Sequence, residues 1–141
     1  MIVVDTSAVI AIFRQEPEAA DFATRIGNDD DPVISAATVV EASLVLRGLK
    51  QISPTRAEAW LDEFIRIAGM RIEPVTPEQA ALARDAHIRF GKGTGHPAGL
   101  NYGDCFSYAL AKAMGAPLLF KGEDFTRTDV LRLIVDPSDK F

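Results

Sequence analysis

Apolar positions recur along the chain at two spacings, and the spacing sorts the sequence into strands and helices. Ile2-Val3-Val4 is a short β-branched run without a polar break, which predicts a strand buried on both faces. Val33-Ile34-Ser35, Met70 to Val75 and Pro117-Leu118-Leu119-Phe120 predict three more strands, and Leu131 to Val135 a weaker fifth. Between them the period turns helical. Thr6 or Ser7 is placed to cap a helix carrying Ala8 to Phe13. Pro17 opens a second helix with Ala20, Phe22 (or Ala23) and Ile26 on its inner face and Gly27 at its end. Asn28 to Pro32 reads as a turn, and Thr38 starts a third helix that ends around Gly48. From Pro54, the residues Ala57, Trp60, Leu61, Phe64, Ile65 and Ala68 stand at helical spacing up to Gly69. Thr76-Pro77-Glu78 joins a capping threonine to a first-turn proline and opens a helix through Leu82, Ala86 and Phe90. Gly91 to Gly103 is a glycine-rich loop, and Asp104 to Met114 an apolar helix.

Strands alternating with helices predict an α/β domain layered around a mostly parallel sheet. No linker, repeat or low-complexity stretch divides the 141 residues, so residues 1–141 read as one domain.

Composition narrows the classes. Apolar residues are 48% and charged residues 25%, a globular balance that excludes disordered and collagen-like chains. The single cysteine, Cys105, excludes an internal disulfide framework and a four-cysteine zinc site. His87 and His96 fit no histidine–metal spacing. No apolar run approaches the ~18 residues of a membrane span, and Met1-Ile2-Val3-Val4-Asp5 meets an acid too soon for a signal peptide. A reduced cytoplasmic location is the expectation. The 15 basic and 20 acidic side chains give a net charge of −5. Proteins that hold nucleic acid by bulk charge are usually basic, so a nucleic-acid reading must find a use for acids.

Four acids sit where water is not expected. Asp5 directly follows the first strand. Glu41 is the only charge between Pro32 and Arg47, and Asp104 the only one between Lys92 and Lys112. Asp124 follows Leu118-Leu119-Phe120 after a short turn. A carboxylate facing a core without a partner costs several kcal/mol or loses its charge. Gathering the four around a divalent cation removes the difficulty, and oxygen ligands suit Mg²⁺ or Mn²⁺ rather than zinc. Ligands of open α/β sheets bind beyond the carboxyl ends of strands, where strand order reverses. Asp5 and Asp124 both lie there if the first and fourth strands are neighbours, with Glu41 and Asp104 reaching the same end from the first turns of their helices. Singly, Asp104 reads as a helix cap, Asp5 as a ligand of the next helix's amides and Asp124 as a solvated turn. The case rests on the set.

Four stretches taken together resemble the PIN-domain ribonucleases, and specifically the VapC-type toxins of prokaryotic toxin–antitoxin pairs. They are Val3-Val4-Asp5-Thr6-Ser7-Ala8, Val39-Val40-Glu41-Ala42, Leu100-Asn101-Tyr102-Gly103-Asp104-Cys105 and Leu119-Phe120-Lys121-Gly122-Glu123-Asp124-Phe125. The resemblance implies a three-layer α/β/α sandwich around four to five strands, with Asp5, Glu41, Asp104 and Asp124 lining one acidic pocket. It implies Mg²⁺ or Mn²⁺, endonucleolytic cleavage of RNA, a homodimer, and neutralisation by a small VapB-like antitoxin in a heterotetramer or larger assembly. Asn101 and Thr6 or Ser7 match positions that shape such pockets. The family more often has asparagine where this chain has Glu123.

On this reading Asp5, Asp104 and Asp124 are metal ligands, and Glu41 orients or deprotonates the attacking water or binds a second ion. Arg14, Arg47, Lys50, Lys92 and Lys121 are the basic candidates for RNA contact. The loop from Gly91 to Gly99 lacks Walker spacing and follows a helix, so it is no nucleotide site. Cys105 reads as a small core residue, and Trp60, Phe64 and Ile65 as core or dimer contact rather than a base-stacking platform. Two rivals stand beside the nuclease. A phosphotransfer enzyme using Asp5 as nucleophile wants a second acid where Ser7 stands. A non-catalytic binding module of the same fold predicts the loss of a pocket acid, and none is missing.

Overall fold

The computed structural model describes residues 1–133. Its sheet has four parallel strands, β1 (Ile2–Val4), β2 (Pro32–Ser35), β3 (Arg71–Glu73) and β4 (Leu118–Leu119), in the order β3-β2-β1-β4. Among the described residues six helices connect them: α1 (Thr6–Phe13), α2 (Ala19–Asn28), α3 (Ala36–Arg47), α4 (Pro54–Ala68), α5 (Pro77–Phe90) and α6 (Tyr102–Met114). A 3₁₀ turn covers Asp124–Arg127. No helix among the described residues is long and apolar enough to cross a membrane.

Alternation along the strands builds the layers. Val3, Val33 and Leu118 share one face and pack under α5 and α6 against Ala86, Phe90, Tyr108 and Leu110. Ile2, Val4, Ile34 and Leu119 point the other way, against Val9 of α1, Ile26 of α2, Leu46 of α3 and Leu61 of α4. The register pairs Val3 with both Val33 and Leu118, and Val4 with Leu119, so side chains of one face line up across strands. The result is the expected α/β/α sandwich. β3 is an edge strand: Ile72 is 48% exposed, and Arg71 pairs with Asp31 at 2.9 Å and with Glu73. Trp60 stacks on Phe64 with ring centroids 5.0 Å apart and meets Phe13 edge-on at 4.9 Å, all three against the core. That is a packing role, as the helical spacing indicated.

Several boundaries differ from the sequence reading, each for a local reason. Asp5, not Thr6 or Ser7, caps α1, accepting the Ser7 amide at 3.0 Å. Ser35 caps α3 through the Ala37 amide, so the helix starts ahead of Thr38, which is buried instead. Asn101 caps α6, which opens two residues before Asp104. On α2 the inner face is Phe22 and Ile26, while Ala20 and Ala23 are exposed. Alanine buries too little surface to set a helix's rotation against two large side chains. α4 ends as expected at Gly69, whose φ of 64° puts it in the left-handed region glycine tolerates. The weak fifth strand reduces to one parallel bridge between Leu118 and Arg132, and residues 134 and 135 lie outside the described residues.

β1 has β2 on one side and β4 on the other. Strand order therefore reverses at β1, and the crevice beyond its carboxyl end is the switch point where α/β sheets bind ligands.

Candidate active site

Asp5 leaves the carboxyl end of β1 and is 2% exposed, its amide donating to the Leu119 carbonyl of β4 at 3.0 Å. α6 points its first turn at the same place and brings Asp104. α3 brings Glu41, one turn deeper into the helix than expected because capping by Ser35 moves the helix start forward. Asp124 opens the 3₁₀ turn after β4 and is exposed at the rim.

Asp5, Glu41 and Asp124 all lie within electrostatic reach of Asp104. Burial pushes the Asp104 carboxyl up to about 7 against its bond to the Asn101 amide, and the negative charges of Asp5, Glu41 and Asp124 push it further. Burial also raises Glu41, and the charge of Asp5 adds to it, while a hydroxyl bond from Thr6 works the other way. No basic side chain is among the charges acting on either group. The nearest basic candidate by sequence, Lys121, has its amine on Glu16 and Glu18.

Neutral donors hold the acids in place. Asp5 Oδ2 accepts from the Ser7 amide at 3.0 Å and the Ser7 hydroxyl at 2.7 Å. Asp5 Oδ1 accepts from the Ser107 hydroxyl at 2.5 Å. Glu41 Oε1 accepts from Thr6 Oγ1. Asp104 Oδ2 accepts from the Asn101 amide at 3.0 Å, and Asn101 Oδ1 accepts the Asp104 amide at 2.8 Å, a reciprocal capping box. Asp104 Oδ1 and Glu41 Oε2 take no hydrogen bond among the described residues, and Asp5 Oδ1 keeps a lone pair free. Glu41 and Asp104 thus each spend one oxygen on a tether and leave the other with coordinating capacity, while Asp5 is tethered through both oxygens and keeps capacity at Oδ1. Gly103 makes room for Glu41, since a Cβ built on it would overlap the carboxylate.

Among the described residues, no three acid, histidine or cysteine side chains stand close enough to enclose a metal ion as they are oriented. The donor chemistry nonetheless fits a hard divalent cation: the ligands on offer are carboxylate oxygens, and Glu41 and Asp104 have no basic partner among the described residues. Asp104 turned back onto Asn101 is one reason the group stays open.

The other three acids predicted from sequence thus lie within electrostatic reach of Asp104; Asp5 also caps α1, and Asp104 completes the capping box of α6. Thr6, Ser7 and Asn101 each hold one of those acids. The basic candidates divide. Arg47 pairs with Glu58 at 3.2 Å and Lys121 is paired as above, while Arg14, Lys50 and Lys92 are exposed without an ion pair among the described residues. The glycine loop is a tight turn in which the Ala98 amide donates to His96 Nδ1 at 3.0 Å. Cys105 is buried, and burial with the nearby Asp104 charge pushes its thiol up to about 11, which disfavours a thiolate there. Sequence reasoning missed Ser107, Thr38 and Gly103. The available signal was spacing: Ser107 lies one helical turn after Asp104, and Thr38 one turn before Glu41.

The PIN domain family model matches residues 2–131. The ribonuclease VapC28 of Mycobacterium tuberculosis is 50% identical over 132 residues, 94% of this chain and 97% of its own. The ribonuclease VapC of Mycolicibacterium smegmatis is 45% identical over 128 residues, 91% of this chain and 96% of its own. Among solved structures, the Mycobacterium tuberculosis toxin VapC20, described as cleaving the sarcin–ricin loop, superposes with a TM-score of 0.74 at 17% identity, covering 94% of this chain and 98% of that one. VapBC2 of Rickettsia felis, bound to a DNA fragment from its promoter, gives 0.72 at 17% identity over 95% and 98% of the two chains. At such identities the structural likeness speaks for the fold.

Proposed function

The chain belongs to the PIN-domain family, and from that premise we propose that it is a metal-dependent endoribonuclease acting as the toxin of a toxin–antitoxin pair. The observation that supports the chemistry is that Asp5, Glu41 and Asp124 lie within electrostatic reach of Asp104 beyond the switch point, with no base acting on Asp104 among the described residues. The family requires a divalent metal, and oxygen-only ligands favour Mg²⁺ or Mn²⁺. Asp5, Asp104 and Asp124 would hold it. When bound, such an ion lowers the pKa of water, takes a phosphate oxygen and offsets charge on the leaving oxygen.

The protein's own residues do the rest. Glu41 is held at Oε1 by Thr6, and its raised proton affinity suits it to orient water and accept its proton at Oε2. Asp104 anchors the amino end of α6 through Oδ2 and leaves Oδ1 without a hydrogen bond among the described residues. Buried Asp5 forms the floor, and exposed Asp124 meets what arrives from solvent. RNA affinity would come from the bound metal and from surface bases such as Arg14, Lys50 and Lys92, which form no ion pair among the described residues, so that a chain of charge −5 can handle a polyanion. The partners are RNA, a VapB-like antitoxin and a second copy of the chain, in the cytoplasm.

Brief induction in cells followed by sequencing of RNA 5′ ends tests the reading. New ends should arise with the parent protein and not with Asp5→Asn, Glu41→Gln or Asp104→Asn. Identical end profiles for parent and Asp5→Asn would refute it. Purified protein should lose cleavage in chelator and regain it with Mg²⁺ or Mn²⁺.

A further inference from the structure

Behind the acids lies a set of buried hydroxyls. Ser107 is fully buried and Thr38 is 1% exposed. Their oxygens are 3.3 Å apart, and geometry alone leaves open which one donates. Chemistry decides it. Asp5 as a carboxylate only accepts, so the single proton of Ser107 is committed to Asp5 Oδ1. Thr38 must then donate to Ser107. The other oxygen of Asp5 ends a matching chain: the Lys121 amide, which only donates, gives to Ser7 Oγ at 2.9 Å, and Ser7 gives its proton to Asp5 Oδ2. Two relays of fixed direction therefore terminate on one carboxylate, and together they draw on α1, α3, α6 and the segment after β4. Chains of this kind polarise each hydrogen bond toward the acceptor.

The two oxygens differ in what they have left. Oδ2 receives two donors and is saturated, whereas Oδ1 receives one and keeps a lone pair. We infer that Ser107, backed by Thr38, is a positioning residue that holds Asp5 with Oδ1 presented to the divalent ion. Resting on the metal-dependent reading above, this assigns a role to two residues outside the acid set. Ser107 sits one turn from Asp104 on the same helix, so α6 supplies one carboxylate and orients a second. Partners behind a metal ligand typically change metal affinity by 10–100-fold when removed.

The test is Mn²⁺ titration of the metal-free full-length protein, followed by the electron paramagnetic resonance of free Mn²⁺, with a thermal melt of each variant. Ser107→Ala should weaken Mn²⁺ binding about tenfold while the protein still melts cooperatively. Thr38→Val, which replaces the hydroxyl by a methyl of similar volume, should weaken it by about threefold, and Thr38→Ser, which keeps the hydroxyl, should restore it. The two Thr38 variants carry the test if Ser107→Ala fails to fold. Parent-like affinity in a folded Ser107→Ala, or equal affinities for Thr38→Val and Thr38→Ser, overturns the positioning role and leaves the metal-dependent reading standing. Failure of the parent itself to bind Mn²⁺ overturns both.

Discussion

Asp104→Asn should stabilise the metal-free protein, and by an amount that depends on pH in a definite direction. In the folded chain burial and three neighbouring acids raise the Asp104 carboxyl from an ordinary 3.8 to about 7. Below about pH 4 folded and unfolded chains both hold the proton. Between there and about 7 the folded chain keeps a proton that the unfolded chain has released, so stability falls as pH rises through this window and levels off above it. The ceiling on the loss is about 4 kcal/mol, at 1.36 kcal/mol per pKa unit. Asp104 retains some contact with water, which screens the repulsion, so about 1–2 kcal/mol is the working value. For a domain of this size that is a rise in Tm of about 3–8 °C for the asparagine variant at pH 8 in chelator. At pH 4 the two proteins should differ only by the weaker capping bond of asparagine, well under 1 kcal/mol in either sign. Differential scanning calorimetry of both proteins from pH 4 to 8.5 reads the difference directly. A difference that stays flat across the range would refute the claim that burial, with the acidic neighbours, raises the Asp104 carboxyl. Added Mn²⁺ should reverse the order above pH 7, because only the parent carries the full set of ligands.

Gly103→Ala should leave the melting temperature within about 2 °C of the parent, since alanine favours the helix and the obstructing atoms are the end of a flexible side chain. It should nonetheless lower kcat for RNA cleavage by tenfold or more, because Glu41 is displaced from Thr6, and parent-like kcat would show that this placement of Glu41 is not needed. Tyr108→Phe should cost about 1–2 kcal/mol in urea unfolding, with cleavage unchanged. Its hydroxyl donates to Asp129 at 2.5 Å in a cluster with Arg89 and Lys112 that ties the segment after the 3₁₀ turn to α5 and α6. Leu110→Ala, at a fully buried position under the sheet, should cost about 3 kcal/mol, and a loss below 1 kcal/mol would contradict the packing of α6 described above.

The strands and the site differ in what made them legible. Ile2-Val3-Val4 and Leu118-Leu119 could be read because uninterrupted apolar runs have few uses outside a two-sided sheet. The helix over Pro54–Ala68 could be read because a first-turn proline and a closing glycine frame a regular stripe. Asp5, Glu41 and Asp104 stood out because charge is expensive in apolar company. Ser107 and Thr38 did not, because a hydroxyl is cheap anywhere on a helix and its partner lies in a distant segment, here 102 residues away for Ser107 and Asp5. The depth of Glu41 within α3 was misjudged for a related reason: Ser35 and Thr38 are both plausible caps, and only packing decides between them.

β1 is three residues long and its side chains alternate between the two cores. One alanine inserted between Val4 and Asp5 would keep every amino acid of the site yet carry the carboxylate about 3.3 Å onward and turn it to the opposite side of the sheet. Odd and even count, rather than chemical kind, thus determines whether the first acid meets the other three.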